Sequence, residues 1–416
     1  IYWDGNPNGD TSGTWKTTST SNINNQWYNY SKKYWANAVT VTPASLSTYQ
    51  NTTDVTVSES HILGYWVYIP RYRYQIQRYS ALGDPPIEKP MAFNIQFENK
   101  NTPNYQKAIP EQNNDWATHP AFSFGDEDDP TPTELNGLWV AKFEATGTAT
   151  APTVKPNTTA LTYQTIGAQF GTSINISQNP DGAAGGNTIT AQNAGQNTHN
   201  LTGRTQSRML RNTDWGAVAY LATSSYGRNA TEVWTNNNSS NITGCAGESV
   251  SATSTSSCNQ YNTPIGVYAS TTDNIYGIYG MSGGPFEYTM SNRGAISDTS
   301  YMTTMPQTRY LNTYYVGPFG IKPSTSSSSN EYFYNYDVCT FQICGGQANY
   351  ETTVAQSVSE LSQSWLSDYA QFTISQFPWT CRGGGFNGFT FNGLFASRYE
   401  EGSAANTSFR PLLSEF

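Results

Sequence analysis

Charge is the first thing in short supply. Only 12% of the 416 residues are charged, against an ordinary share of roughly 25%. Twenty-one Lys and Arg face 30 Asp and Glu, for a net charge of −9. No basic patch stands out, which argues against a surface that tracks nucleic-acid phosphates. Long apolar runs are missing as well, and nothing approaches the roughly 18–20 residues of a membrane-spanning helix. The 3 histidines are scattered and no Cys-x-x-Cys occurs, so a zinc site has no ligand set to draw on. Neither a Gly-x-Ser-x-Gly elbow, a phosphate loop nor a dinucleotide fingerprint is present. Cysteine is sparse and odd in number, at 5. Cys245 and Cys258 bracket one short loop, Cys339 and Cys344 another, and Cys381 stands apart. Brackets of this kind fit an extracellular chain, but spacing alone does not fix the pairing.

Aromatics are what the chain has instead: 29 Tyr, 18 Phe and 11 Trp. With Asn, Ser, Thr and Gly covering the surface, this is a composition for short strands and long loops rather than helical bundles. The chain opens on Ile1 rather than Met, which reads as a processed or truncated N-terminus and leaves room for a preceding signal peptide or membrane anchor.

Residues 1–58 alternate aromatic clusters with Thr/Ser/Asn tracts and read as a small N-terminal β appendage or subunit-contact arm. Residues 59–416 form the main domain. His61–Pro70 is a strand signal, and Arg71–Ile76, Ala92–Glu98 and Gly137–Glu144 continue it with alternating patterns. Residues 146–203 read mostly as loop. Arg208–Leu221 is the best helix, capped at Asn212 or Thr213. A second, shorter helix is expected around Leu361, Trp365 and Tyr369. The sum is an irregular α+β fold with about two helices.

The C-terminal part carries the chemistry. Tandem glycines in Cys381-Arg382-Gly383-Gly384 permit positive φ and predict a bulge or tight bend. Phe409-Arg410 closes a frame that begins there. Between them, residues 387–408 show no strand or helix period and are rich in contact-forming side chains. We take Asn387, Phe389, Phe391, Arg398, Tyr399, Glu400, Glu401, Asn406 and Thr407 as candidate ligand-binding residues. Glu287, within Gly283-Gly284-Pro285-Phe286-Glu287-Tyr288, reads as a buried carboxylate bonded to backbone N–H groups. Asp126-Glu127-Asp128-Asp129 reads as an exposed acidic turn, with a structural calcium ion as the minority alternative. No other cofactor and no metal site is expected.

These motifs together resemble the formylglycine-generating (sulfatase-modifying factor) family, a branch of the C-type lectin fold. Tyr65–Pro70 and Leu138–Glu144 look like its opening strands. Asn274–Tyr288 is similar to its central signature, and the Arg382-Gly383-Gly384 to Phe409-Arg410 frame to its closing one. The resemblance spans roughly residues 60–416 and makes Glu287, Arg382, Gly383, Gly384, Phe409 and Arg410 structural residues. It leads us to expect the Arg382 strand to pair with strands from the Val67 and Phe286 regions. The enzymes of the family use a cysteine pair in the closing segment, and residues 387–409 contain none. The closing frame also resembles the variable proteins of diversity-generating retroelements, which display a ligand-binding surface there. The implied role is therefore a non-enzymatic, extracellular binding protein on a cell surface, pilus or virion, meeting a host or environmental protein or glycan. A pilin-like filament or homo-oligomer subunit, with 1–58 making the contacts, is the rival reading, and a formylglycine-type oxidase the third.

Overall fold

The computed structural model describes residues 1–21, 27–81, 87–101, 116–124, 133–177, 196–201, 205–292, 334–335, 346–348, 362–371, 373, 377, 379–388, 391–400 and 406–415. The acidic cluster at 126–129 and both Cys339 and Cys344 lie outside them. The fold is mixed α+β, with a few short helices, several small, mostly antiparallel sheets and long loops.

The principal elements, in chain order, begin with β1 (Asn37–Val41), β2 (Ile62–Pro70), β3 (Tyr72–Ala81), β4 (Ile87–Phe97) and β5 (Gly137–Ala141). Next come α1 (Ile166–Ile174), β6 (Thr205–Met209), α2 (Asn212–Ala222) and β7 (Phe286–Asn292). Five strands finish the chain: β8 (Tyr369–Ala370), β9 (Trp379–Gly383), β10 (Gly393–Glu400), β11 (Thr407–Phe409) and β12 (Pro411–Glu415).

Two sheets dominate. The first is antiparallel, in the order β6-β12-β5-β2-β1. Its core strand β2 is buried along most of its length, as its near-continuous apolar run demands. The second runs through β7, β9, β10 and β8, with β11 lying parallel to β7. The Arg382 strand, β9, thus pairs with the Phe286 strand as expected. It does not pair with the Val67 strand, which sits in the first sheet; a continuous core containing Val67, Leu138, Trp215, Leu394 and Leu412 joins the two sheets by side-chain packing instead.

Residues 1–58 make contacts with the rest of the chain. β1 is the edge strand of the first sheet, and Trp3, Trp15 and Trp35 are buried. The Trp3 backbone N–H donates to the Tyr276 hydroxyl at 3.1 Å, and Trp15 Nε1 donates to Tyr261 at 3.3 Å. Lys142 ties the same region from the other side. Burial pushes its ammonium toward the neutral form. Its Nζ nonetheless donates to Asn37 Oδ1, Ile275 O and Gly277 O at 2.8, 2.6 and 2.9 Å, one acceptor for each proton of a charged ammonium.

α2 matches the expected helix, but starts later: Arg208 and Met209 belong to β6. Its N-cap is Arg211, whose backbone N–H donates to Asp214 at 2.7 Å. Every residue of α2 is buried, so it is a core helix rather than a surface one. A further helix, α1, lies in the stretch that reads as loop. Ile166, Phe170 and Ile174 form its buried stripe and Thr165 caps it, accepting from Ala168 N at 3.3 Å. Around Trp365 there is only a 3-10 turn, Trp365–Ser367. Leu366 and Ser367 adopt φ of 62° and 70°, a left-handed conformation that a regular helix does not contain. No helix among the described residues is long and apolar enough to cross a membrane.

Cys245 and Cys258 are joined, with Cα atoms 5.1 Å apart across a separation of 13 residues. Cross-linking a loop of that order removes roughly 3 kcal/mol of unfolded-chain entropy. The double substitution Cys245→Ala/Cys258→Ala is expected to lower stability by about that amount in a denaturant titration, and reduction of the wild type should match it.

Candidate ligand-binding site

The site begins with the glycines of β9. Gly383 and Gly384 both take φ of +82°, and the β9–β10 ladder shifts register between Arg382 and Gly383. This is the predicted bulge. A Cβ on Gly384 would stand 2.1 Å from Asn392 Oδ1, so only glycine lets the turn close. Asn392 fastens that turn: its Oδ1 accepts from Gly385 N at 2.9 Å, and its Nδ2 donates to Gly385 O at 2.8 Å and to Thr235 at 2.9 Å.

Residues 393–400, which show no strand period, form β10, paired with β9 from Trp379↔Glu400 to Arg382↔Ser397. The alternation is hidden because the strand's first half is buried on both faces and only Arg398, Tyr399 and Glu400 are partly open. Two carboxyls hold its start. Asp368 accepts from Phe395 N at 2.8 Å, and Glu232 accepts from Leu394 N at 3.2 Å and Val233 N at 2.8 Å. Asp368 and Glu232 meet carboxyl to carboxyl, a contact that bonds only when one of them keeps a proton. Burial, with each other's charge adding for Asp368, raises both above the ordinary carboxylate range; Arg382 pulls Asp368 back and Arg228 pulls Glu232 back.

Between the Gly384 turn and the open end of β10 lies a pocket of about 530 Å³. Asn387, Phe391, Arg398 and Tyr399 line it, as do Phe286, Tyr369, Gln371 and Asn392. The Arg398 guanidinium lies 4.7 Å from the centre of the Phe286 ring and pairs with Glu400. Tyr399 stacks on Phe377 at 5.1 Å. Phe391 stands 58% exposed at the lip, edge-on to Tyr369 at 5.5 Å. The first four of these are candidates read from the sequence. Tyr369 and Gln371 lie outside the closing segment and enter because β8 pairs parallel to β10 at Ala370↔Ser397. No local pattern announces that pairing.

Glu400 contributes through its ion pair, and Asn406 is exposed but lines no part of the pocket. Thr407 does not belong with them. It is 1% exposed, in β11, opposite Phe286 in a parallel ladder, so it is part of the mount. Phe389 and Glu401 fall outside the described residues.

The structural motifs converge beneath this surface. Glu287 is buried, but its partner is a side chain rather than backbone N–H groups: Arg410 Nε and Nη2 reach its two oxygens at 3.0 and 2.5 Å. Arg410 also donates to Ala141 O at 3.0 Å and Tyr279 O at 2.9 Å. Burial raises Glu287 to about 7, with Arg410 opposing and Glu144 adding to the rise. Glu144 is itself buried and raised for the same reason, against Arg410's pull. Arg382 donates to Ala348 O at 2.7 Å and lies 5.6 Å from the Trp215 ring centre. Phe409 is wholly buried. Cys381 is buried too, and burial pushes its thiol well above the ordinary range. Among the described residues, no three His, Cys, Asp or Glu side chains gather as a metal-ligand set. No protein-family model matches the chain, and no curated protein matches it.

Proposed function

We propose that the protein is an extracellular binding protein of the C-type-lectin-like, formylglycine-generating-enzyme-like kind, which meets a host or environmental surface ligand through its closing segment. The observation that carries this is the pocket: four candidate residues from that segment converge on one concavity. Its walls stand on buried strands, which lets the contact residues act as preorganised anchors. The non-enzymatic reading rests on the closing segment, where residues 387–409 hold no cysteine pair of the family's kind; Cys381, just before it, is buried. The filament reading needs residues 1–58 as a contact arm, and the burial of Trp3, Trp15 and Trp35 leaves those aromatics unavailable for one.

The test separates contact from mount. The Arg398–Glu400 pair is partly open, at 39% and 18% side-chain exposure, and such pairs contribute about 0–1 kcal/mol. Changing Arg398, Tyr399 and Glu400 together to Ala or Ser is expected to leave the melting temperature within a few degrees of wild type, at about 2 °C per kcal/mol. Binding to cells or virion receptors should be lost. Trp379→Ala should do the reverse, since this fully buried side chain leaves a cavity costing about 3–5 kcal/mol. A triple variant that still binds would remove the pocket from the reading.

A further inference from the structure

We infer that the pocket's ligand is a neutral saccharide, one pyranose ring of a surface glycan; this rests on the binding reading above and narrows its ligand class.

Charge comes first. Arg398 is the one charged side chain lining the pocket among the described residues, and Glu400 pairs with it. Among the described residues the site therefore offers no uncompensated charge to an acidic or basic ligand, and a charged group placed against Arg398 would compete with its Glu400 pair.

Shape comes second. Tyr369 and Phe391 meet at 84° with ring centres 5.5 Å apart, forming a corner of two aromatic walls. One is open at the lip, where Phe391 is 58% exposed. A pyranose has a face of C–H bonds that lies flat on such a wall, and a rim of hydroxyls that needs something else. Gly384 and Gly388 also line the pocket and carry no side chains, so at those two points a ring can come close to the backbone.

The rim is met by groups of mixed polarity. Asn387 and Gln371 each present an amide with both donors and an acceptor. The Arg398–Glu400 pair sets donors beside acceptors in the same way. A hydroxyl, which donates and accepts at once, satisfies both halves of every such group. A purely apolar side chain such as phenylalanine satisfies neither, and would leave them desolvated and unpaired. At about 530 Å³ the cavity is also within the roughly 300–1,000 Å³ range of small-molecule sites.

The experiment uses the full chain against an immobilised panel: neutral glucans, mannans, galactans and chitin oligomers, sialylated and sulfated glycans, and a random-peptide display library. Saturation-transfer NMR with methyl pyranosides runs alongside. Binding to at least one neutral glycan is expected. Its affinity should fall by about tenfold or more in Phe391→Ala and Tyr369→Ala, one to two hot-spot contacts' worth. It should hold in the control Tyr163→Ala, an exposed tyrosine that lines no part of the pocket. It should change little between about 0.05 and 0.5 M salt, because no ion pair forms across the interface. Melting temperatures close to wild type confirm that the variants fold. Capture of peptides or charged glycans alone, lost in the same two variants, would overturn the saccharide class while leaving the pocket as the binding site. No glycan bound at all would overturn it too. Glycan binding that neither variant weakens would overturn the class and the site together.

Discussion

Replacing Arg410 with methionine is expected to lower stability by about 3–5 kcal/mol, the range for removing one partner of a buried ion pair. In a chain of this size that corresponds to a fall of roughly 6–10 °C in melting temperature, at about 2 °C per kcal/mol. Arg410 is wholly buried and supplies donors to three separate elements: Glu287 on β7, Ala141 O at the end of β5, and Tyr279 O in the loop before β7. Without it the buried Glu287 carboxyl loses its partner and two buried carbonyls lose their donor. Arg410→Lys should recover little, since a single ammonium cannot reach a bidentate carboxylate and two diverging carbonyls together. The double change Glu287→Leu/Arg410→Met should recover a substantial part, because the unpaired buried carboxyl goes with its partner. A single Arg410→Met variant within about 1 kcal/mol of wild type would show that the pair is dispensable.

The second large effect is of pH. Glu287 in the folded state titrates at about 7, well above the roughly 4.3 of an unfolded chain. Between those values the folded protein keeps a proton that the unfolded chain has released. Stability contributed by this group is thus full below the unfolded value and is lost as pH rises through about 7. The shift corresponds to roughly 4 kcal/mol. Glu144, Glu232 and Asp368 are displaced in the same direction and add to the decline. Asp214 works the other way: burial pushes it up, but Arg208 and Arg211 outweigh that and hold it below the ordinary range, so its contribution is lost only in strong acid. Denaturant midpoints should therefore be highest on the acid side of neutrality and fall steadily toward pH 9. In Asp368→Asn, which retains an acceptor for Phe395 N and a donor for Glu232, the slope above pH 6 should flatten. A stability that rises from pH 5 to pH 8 would contradict the protonated carboxyls.

How much of this was legible in the residues follows physical lines. The β2 run and the alternation of β3, β4 and β5 are local signals, and they emerge as strands. So does the positive φ at Gly383 and Gly384, because no other residue type is at ease there. α1 escaped because Gly167, Gly171, Thr172 and Ser173 are poor helix formers, and its spacing of Ile166, Phe170 and Ile174 was the only clue. The stretch around Trp365 misled in the opposite way: a four-residue spacing of apolar side chains arises across a turn as readily as along a helix. The Glu287–Arg410 pair spans 123 positions, and only tertiary structure reveals that two recognisable motifs are one ion pair. The pocket was half visible. Its closing-segment wall could be read from composition, whereas Tyr369 and Gln371 arrive through a parallel pairing that leaves no trace in either strand.

The place of the last strand has a consequence for how the chain can be cut and rejoined. β12 lies inside the first sheet, bonded to β6 on one side and β5 on the other, and β11 is laid along β7. Residues 407–415 are thus held by neighbours drawn from three distant stretches and only tethered through what precedes them. A chain nicked between residues 400 and 407 need not shed its tail: the freed peptide would stay clamped by three ladders and the Arg410 contacts. Supplied separately, the same nine residues would act as a complementing fragment, zipping a split protein back into one piece.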